Sequence, residues 1–499
     1  MTTKIFSFLP IVFSAVCLLS CTNSTETLES ELVSTKNDKL FKVREGVEAD
    51  NIPLGIQGKI PLWLEGTYVR NGPGKFTIGD QTISHWFDGF AMLASFSFKN
   101  SQVLYSAKFL QSDQLIASQK NNKIYLTGFA ENFAKLSQAH KSKDNQKVVT
   151  ANANINIEHI GRSYVALGET PLPIEFELKT LNTVGIFDYN DKLKKSRIWE
   201  SAHIKRSPED SILWNYYTDY GLRSNYVIYN ILPGSTERKI VSKVATDVPS
   251  YMHDFSITKN YIVFTAYPLI LDPRGLMTGK KSFMGAHKWE PKRKTKIYVI
   301  NKKNGKVVSQ LLTDPMFAFH HINAFEDNNE IKLYLSDSPT YGSVINLSSY
   351  PVAKKANLHL SELTINLANG LASKKILSEE EFELPTINPN YQGKKNQFFY
   401  AVRYSLPKSE NGYGLVKYDL SSNKFVSWHL KDHYATEPVF VPKPGSNKED
   451  EGVVLSLVYN KAKNQTFLII LDAMNFTELG RAFLPNVLPF GFHGKFFNN

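Results

Sequence analysis

Five of the twelve histidines stand in apolar or turn-rich surroundings that could serve chemistry. They are His203 in "ESAHIKRSPED", His253 in "YMHDFSIT", the adjacent pair His320 and His321 in "FAFHHINAFED", and His493 in "PFGFHGKFF". Imidazole is a ligand for iron, copper, zinc and nickel. Four neutral imidazoles would leave a divalent metal its full charge and, in octahedral geometry, two open positions. That suits a redox metal that binds dioxygen beside a substrate. The same surroundings also suit hydrogen-bonded core histidines, the commoner fate of a histidine in an apolar strand, and spacing alone leaves both readings open. The adjacent pair adds a constraint. Side chains alternate along a strand, so only one of His320 and His321 can face a given site. The remaining seven, His85, His140, His159, His287, His359, His429 and His433, lack such a context.

The elements that would position these residues are strands. From about Gly55 onward, short β-branched and aromatic runs alternate with turn residues, as in a many-stranded all-β protein. One hairpin form recurs: an apolar strand, a polar turn with Asn, Asp or Gly, and a second strand. It reads as "SFSFKNSQVLYSAKFL", "FELKTLNTVGIFD", "IYVINKKNGKVVSQLL", "ELTINLANGLASKKIL", "LVKYDLSSNKFVSWHL" and "LIILDAMNFTELGRAFL". Repetition at roughly 50–80 residues matches propeller blades of four strands each. An array of β-sandwiches is the alternative. In a propeller the innermost strands face a common axis, where histidines from different blades would converge.

The first residues are of another kind. "MTTKIFSFLPIVFSAVCLLSC" carries Lys4 and then an apolar run from Ile5 to Leu19. The run is too short to span a bilayer and fits a secretory signal. Leu18-Leu19-Ser20-Cys21 resembles a bacterial lipobox, which implies a lipidated Cys21 and a lipid-anchored protein of the bacterial cell envelope. An uncut anchor or a plain signal peptide is the alternative. The organisation expected is a signal peptide over 1–20, a polar tether over 21–45 and one propeller domain over 46–499. Cys17 and Cys21 are the only cysteines, so the processed domain has no disulfide and no thiol chemistry. The net charge of +11 suits an anionic membrane surface or a lysine-rich solvated one. "PKRKTK" (Pro291 to Lys296) is too short to argue for nucleic acid, and no nucleic-acid motif accompanies it.

Ten segments, in order, resemble the carotenoid cleavage oxygenase family, the proteins like retinal pigment epithelial membrane protein. They are "RNGPGKF", "HWFDGFAML", "ANANINI", "ALGET", "SAHIKRSPEDSILWNY", "MHDFSIT", "FHHINAFED", "EFELP", "EPVFVPKPGSNKEDEGVVLSLVYN" and "GFHGKFF". The resemblance implies a seven-bladed β-propeller with a dome of loops and helix over the active-site face. It implies Fe(2+) held by His203, His253, His320 and His493. His320 is selected over His321 because the family pattern is Phe-His-x-x-Asn and Asn323 lies three residues after His320. It also implies carboxylates behind three ligands: Glu169 with His253, Glu383 with His320 and Glu437 with His493. His203 is left without one.

The activity implied is dioxygenase cleavage of a conjugated double bond in a hydrophobic polyene, with O2 as co-substrate, by a monomer. Trp86, Phe87 and Phe90 would line a hydrophobic tunnel, or else pack between blades. "HWFDGFAML", "FHHINAFED" and "EDEGVVLSLV" lean towards the carotenoid- and retinoid-processing branch. Stilbene-cleaving members use a tyrosine and a lysine to hold a phenol, and Val148 and Val149 stand where that lysine is expected, with Lys147 out of register. Carotenoid or apocarotenoid cleavage therefore ranks first and stilbene cleavage second. A retinoid isomerase of the same fold shares every metal residue, and a non-catalytic metal- or lipid-binding propeller is the remaining alternative.

Overall fold

The structure is a computed structural model that describes residues 45–498, apart from 126–127, 132–150, 194–197, 222, 273, 276–280, 342–356 and 408. The signal peptide, nearly all of the tether, Cys21 and the stretch with Lys147 lie outside the described residues. Among the described residues no helix is long and apolar enough to cross a membrane.

Seven antiparallel sheets of four to six strands succeed one another along the chain. All six hairpins read from the sequence form the third and fourth strands of a blade, and in the first and seventh blades a further strand, Ala49–Pro53 and Gly55–Gly58, lies outside them. The "IYVINKKNGKVVSQLL" hairpin, for example, is Thr295–Asn301 paired with Val307–Thr313. A seventh hairpin, Ser224–Ile231 with Lys239–Thr246, completes the set. Its Leu-Pro-Gly-Ser-Thr-Glu-Arg connection lacks the compact Asn/Gly turn of the others. The burial of each strand fits its place. Gly452–Asn460, in mid-blade, is buried throughout, whereas the outermost Leu371–Ser378 keeps Leu371, Ser373, Lys375 and Ile376 exposed. The core lies largely between blades, as where Val263, Ile297 and Val299 of the fourth meet Leu333, Leu335 and Leu363 of the fifth.

Both chain ends close the ring. The N-terminal strand Gly55–Gly58 pairs with Glu478–Phe483 in the seventh blade. The C-terminal strand Gly494–Phe497 pairs with Gly66–Lys75 in the first. Arg70 and Asn71 fasten this closure. The buried Arg70 guanidinium donates to the Gly491 and Phe492 carbonyls at 2.9 and 3.0 Å, and the Asn71 amide donates to those of Ala153 and Asn156. A Cβ on Gly72 would come within 2.3 Å of the Gly491 Cα, so close backbone approach demands glycine there.

Antiparallel alternation sorts the connections onto two faces. First-to-second and third-to-fourth strand turns share one face and are mostly short. Second-to-third connections and the crossings between blades share the other, and the longest of them leave the strands at Lys75, Phe109, Ala266 and Asp337. This face carries the helix Asp113–Asn121, capped by Ser112, and the ribbon of Leu269–Leu271 with His287–Trp289. It is the dome expected from the family resemblance.

Candidate metal centre

His253, His320 and His493 each lie in a crossing between blades, one to three residues before an innermost strand: Ser256–Ile257, His321–Asp327 and Gly494–Phe497. His203 lies within an innermost strand, where a bulge parts Ile198–Glu200 from Lys205–Arg206. All four therefore sit on the axis at the dome face. Bulges re-aim side chains, and three more flank the site. Register shifts between His321 and Asn323 and between Glu383 and Thr386, and Glu437 sits where Val439–Pro442 departs from His433–Ala435.

The four imidazoles are buried and each offers one nitrogen within 4.8 Å of the others. Five of the six ring pairs stand 4.6–5.3 Å apart. His203 Nε2 lies 3.0 Å from His253 Nε2, and His320 Nε2 lies 3.3 Å from His493 Nε2. Behind them, Nδ1 of His253 meets Glu169 at 2.7 Å, Nδ1 of His320 meets Glu383 at 2.6 Å, and Nδ1 of His493 meets Glu437 at 2.6 Å. The three pairings are those implied by the family resemblance.

A carboxylate only accepts, so Nδ1 carries the proton in each pair and a neutral ring keeps a lone pair at Nε2. Lone pairs then face one another in a buried space. Such a set could hold a cation at its centre, and the donor chemistry fits a divalent transition metal. The carboxylates fix each tautomer and make the rings stronger bases. Burial, then the neighbouring imidazoles, hold His203 well below the ordinary imidazole range. Burial also lowers His493 against the pull of Glu437. At His320 burial acts in the same direction, but Glu383 with Asp254 and Glu437 outweighs it and the balance is upward.

Chemistry divides His320 from its neighbour as the register requires. His321 turns away from the axis and sits among Ser256 Oγ at 3.0 Å, Thr265 Oγ1 at 2.9 Å and the Tyr267 hydroxyl at 3.1 Å. It is a hydrogen-bonded core histidine whose burial lowers its pKa to about 4.

One residue that the motifs did not single out touches the centre directly. The Tyr251 hydroxyl lies 2.9 and 3.2 Å from the two Glu169 oxygens and 2.9 Å from His253 Nδ1. Its signal is the spacing in "YMHD": two residues before a ligand is the same side of an extended chain. Above the rings stands an aromatic wall. Phe319 meets His253 edge-on at 5.3 Å, Phe87 lies 6.2 Å from Phe319 and 5.1 Å from Phe492, and Trp86 packs on Phe492 at 4.4 Å. Phe90 neither faces the rings nor packs between blades: it is fully buried under the dome helix among Phe76, Ile78, Ile83, Leu115 and Ile124.

The family model for retinal pigment epithelial membrane protein matches residues 40–498. The beta,beta-carotene 15,15'-dioxygenase of Gallus gallus is 30% identical over 92% of this chain and 98% of its own. The mitochondrial carotenoid-cleaving dioxygenase of Mustela putorius furo is 29% identical over 88% of this chain and 93% of its own. Among solved structures, the cobalt-substituted Synechocystis apocarotenoid oxygenase superposes with a TM-score of 0.80 at 24% identity, covering 92% of this chain and 98% of that one. That likeness is one of fold.

Proposed function

Because the chain belongs to the retinal pigment epithelial membrane protein family, we propose that it is an Fe(2+)-dependent dioxygenase that cleaves one conjugated C=C bond of a carotenoid or apocarotenoid. The observation that carries this reading is the convergence of four buried imidazole nitrogens beneath an aromatic wall. Two relatives bear the names of carotenoid-cleaving enzymes, which supports the substrate class.

The reaction balances without another reductant. One C=C and one O–O bond break, two C=O bonds form, and the four electrons that reduce O2 come from the two alkene carbons. Iron, when bound, supplies the capacity to bind and activate dioxygen. His203, His253, His320 and His493 would hold it. Glu169, Glu383 and Glu437 keep a proton on each Nδ1, so three Nε2 atoms stay unprotonated towards the centre. Tyr251 steadies the Glu169 carboxylate through its hydroxyl. Phe87, Phe319 and Phe492 offer an apolar surface that would exclude water and align a flat polyene over the rings. No acid–base pair is required of the protein.

The test is to load the full chain with Fe(2+) anaerobically and mix it in air with a panel of carotenoids, apocarotenals and stilbenes. Products are identified by mass. The expected result is a pair of carbonyl fragments from a carotenoid or apocarotenoid. Cleavage of stilbenes alone, or isomerised product with no added oxygen, would overturn it.

A further inference from the structure

Among the described residues no carboxylate backs His203 as one backs each of the other three rings, and its bulge gives it a further freedom. Glu200 pairs with Tyr217 and Lys205 with Trp214, so four residues, 201–204, span the space of two. A bulge of that size wanders unless its polar groups are tied down. Here they are tied mainly through Ser201. Its N–H donates to the Tyr216 carbonyl at 3.1 Å, and its carbonyl accepts from the Asn215 amide at 2.8 Å. The Ala202 carbonyl takes the Asn156 amide at 3.0 Å. The Ser201 hydroxyl then makes two bonds at once. It accepts the His203 N–H at 3.1 Å and donates to the His253 carbonyl at 2.8 Å. One oxygen thus joins the backbones of two of the four histidines, fifty residues apart.

This hydroxyl has a braced foundation. Asn215, which holds the Ser201 carbonyl, also donates to the Tyr229 hydroxyl at 3.0 Å. Tyr229 donates to Glu200 at 2.5 Å, and the buried Arg238 lies 3.4 Å from the same carboxylate. Arg238 is held in turn by Asp191 at 2.8 Å and stacks on Tyr189. All these groups except Asp191 are buried. The blade therefore does have a carboxylate, but it stands behind the main chain rather than behind the ring.

We propose that Ser201 is a positioning residue for the metal centre: its hydroxyl sets the spacing of His203 and His253 and takes the place of the absent fourth carboxylate. The proposal rests on the four-histidine reading, and the test separates the two. Co(2+) is a suitable probe, because its visible bands report coordination geometry without substrate or turnover. Wild type, Ser201→Ala, Ser201→Thr and Ser242→Ala are compared as full-length proteins. Ser242→Ala removes another serine-to-carbonyl bond, at 2.6 Å to Gly305, away from the centre. The measurements are Co(2+) affinity by chelator competition, the visible spectrum, and the melting temperature of the metal-free proteins.

Ser201→Ala is expected to lose affinity on the order of 10-fold, within the range for partners of metal ligands, and to show shifted bands. Ser201→Thr, which keeps the hydroxyl, and Ser242→Ala should both match wild type in affinity and spectrum. Wild-type affinity and spectrum in Ser201→Ala would overturn the positioning role alone. So would a Thr variant as impaired as Ala, or an equal loss in Ser242→Ala that follows melting temperature. Wild-type protein that takes up no Co(2+) would overturn the metal centre and the positioning role together.

Discussion

Exchanging a glutamate for glutamine should weaken metal binding much more at Glu437 than at Glu383, although both sit 2.6 Å from a histidine Nδ1. The reason is where the second donor falls. One oxygen of Glu383, Oε2, accepts both the His320 Nδ1–H and the Leu384 N–H at 2.7 Å, while Oε1 is buried without a partner. A glutamine can set its carbonyl in the doubly bonded place and its NH2 in the empty one. The ring keeps its orientation and only the negative charge is lost, at a cost of about 10-fold in affinity, the low end for such partners. Glu437 uses both oxygens: Oε1 for His493 and Oε2 for the Gly494 N–H at 2.7 Å. Either orientation of a glutamine then sets NH2 against a buried donor. An unsatisfied buried group costs about 1–3 kcal/mol, a further factor of roughly 5–150. Chelator competition with Fe(2+) or Co(2+) on the full-length variants measures both. Part of the clash at Gly494 exists without metal, so metal-free Glu437→Gln should melt below Glu383→Gln. Equal affinities, or the reverse order, would refute the reasoning.

His321→Ala should keep its metal yet lose stability by about 2–4 kcal/mol, because it leaves a cavity and strands three hydrogen-bonding groups; loss of metal equal to that of His253→Ala would show the register to be wrong. With a folded pKa of about 4 against about 6.5 unfolded, His321 binds its proton more readily in the unfolded chain. Its contribution is whole above pH 6.5 and declines as the pH falls towards 4, so denaturant titrations should show a shallower loss in that window for the variant. A stop after Phe492 should give a metal-poor, inactive protein, whereas loss of Asn498 and Asn499 alone should leave metal content per chain unchanged. Cys21→Ser should abolish incorporation of labelled fatty acid, and label retained in the variant would exclude Cys21 as the lipid attachment point.

Sequence and structure agree best where the chain is most regular. Outer hairpins alternate apolar and polar residues because one face packs on the next blade and the other meets water, and the period is visible in "ELTINLANGLASKKIL". Innermost strands are another matter. Ser256–Ile257 has two residues and Ile198–Glu200 three, and bulges break their pairing, so no period survives to be read. The ligands occupy these breaks, and only the family motifs identified them. His320 was separated from His321 by the place of Asn323. That asparagine fastens one blade to the next, because its side chain donates to the Tyr391 and Lys394 carbonyls and to Asn396, and accepts from the Gly393 N–H. Ser201 was invisible in advance because its role depends on His253, far along the chain. Tyr251 was hidden because its hydroxyl acts on a carboxylate from another blade.

Strand exchange between the chain ends also sets a clock. His203 and His493 are separated by 290 residues (493 less 203), which a ribosome covers in roughly 15–60 s at typical rates of synthesis. Through that interval the set is incomplete, with His253 and His320 added along the way, and Glu437 waits for its partner over the last 56 residues. The nascent chain can offer metal only an incomplete and open set of nitrogens. The fourth nitrogen would join the set only when the final strand docks beside Gly66–Lys75. On the proposed reading, metal selection would be deferred until the last strand is in place, when the enclosed geometry rather than the first ion to arrive would decide what is kept.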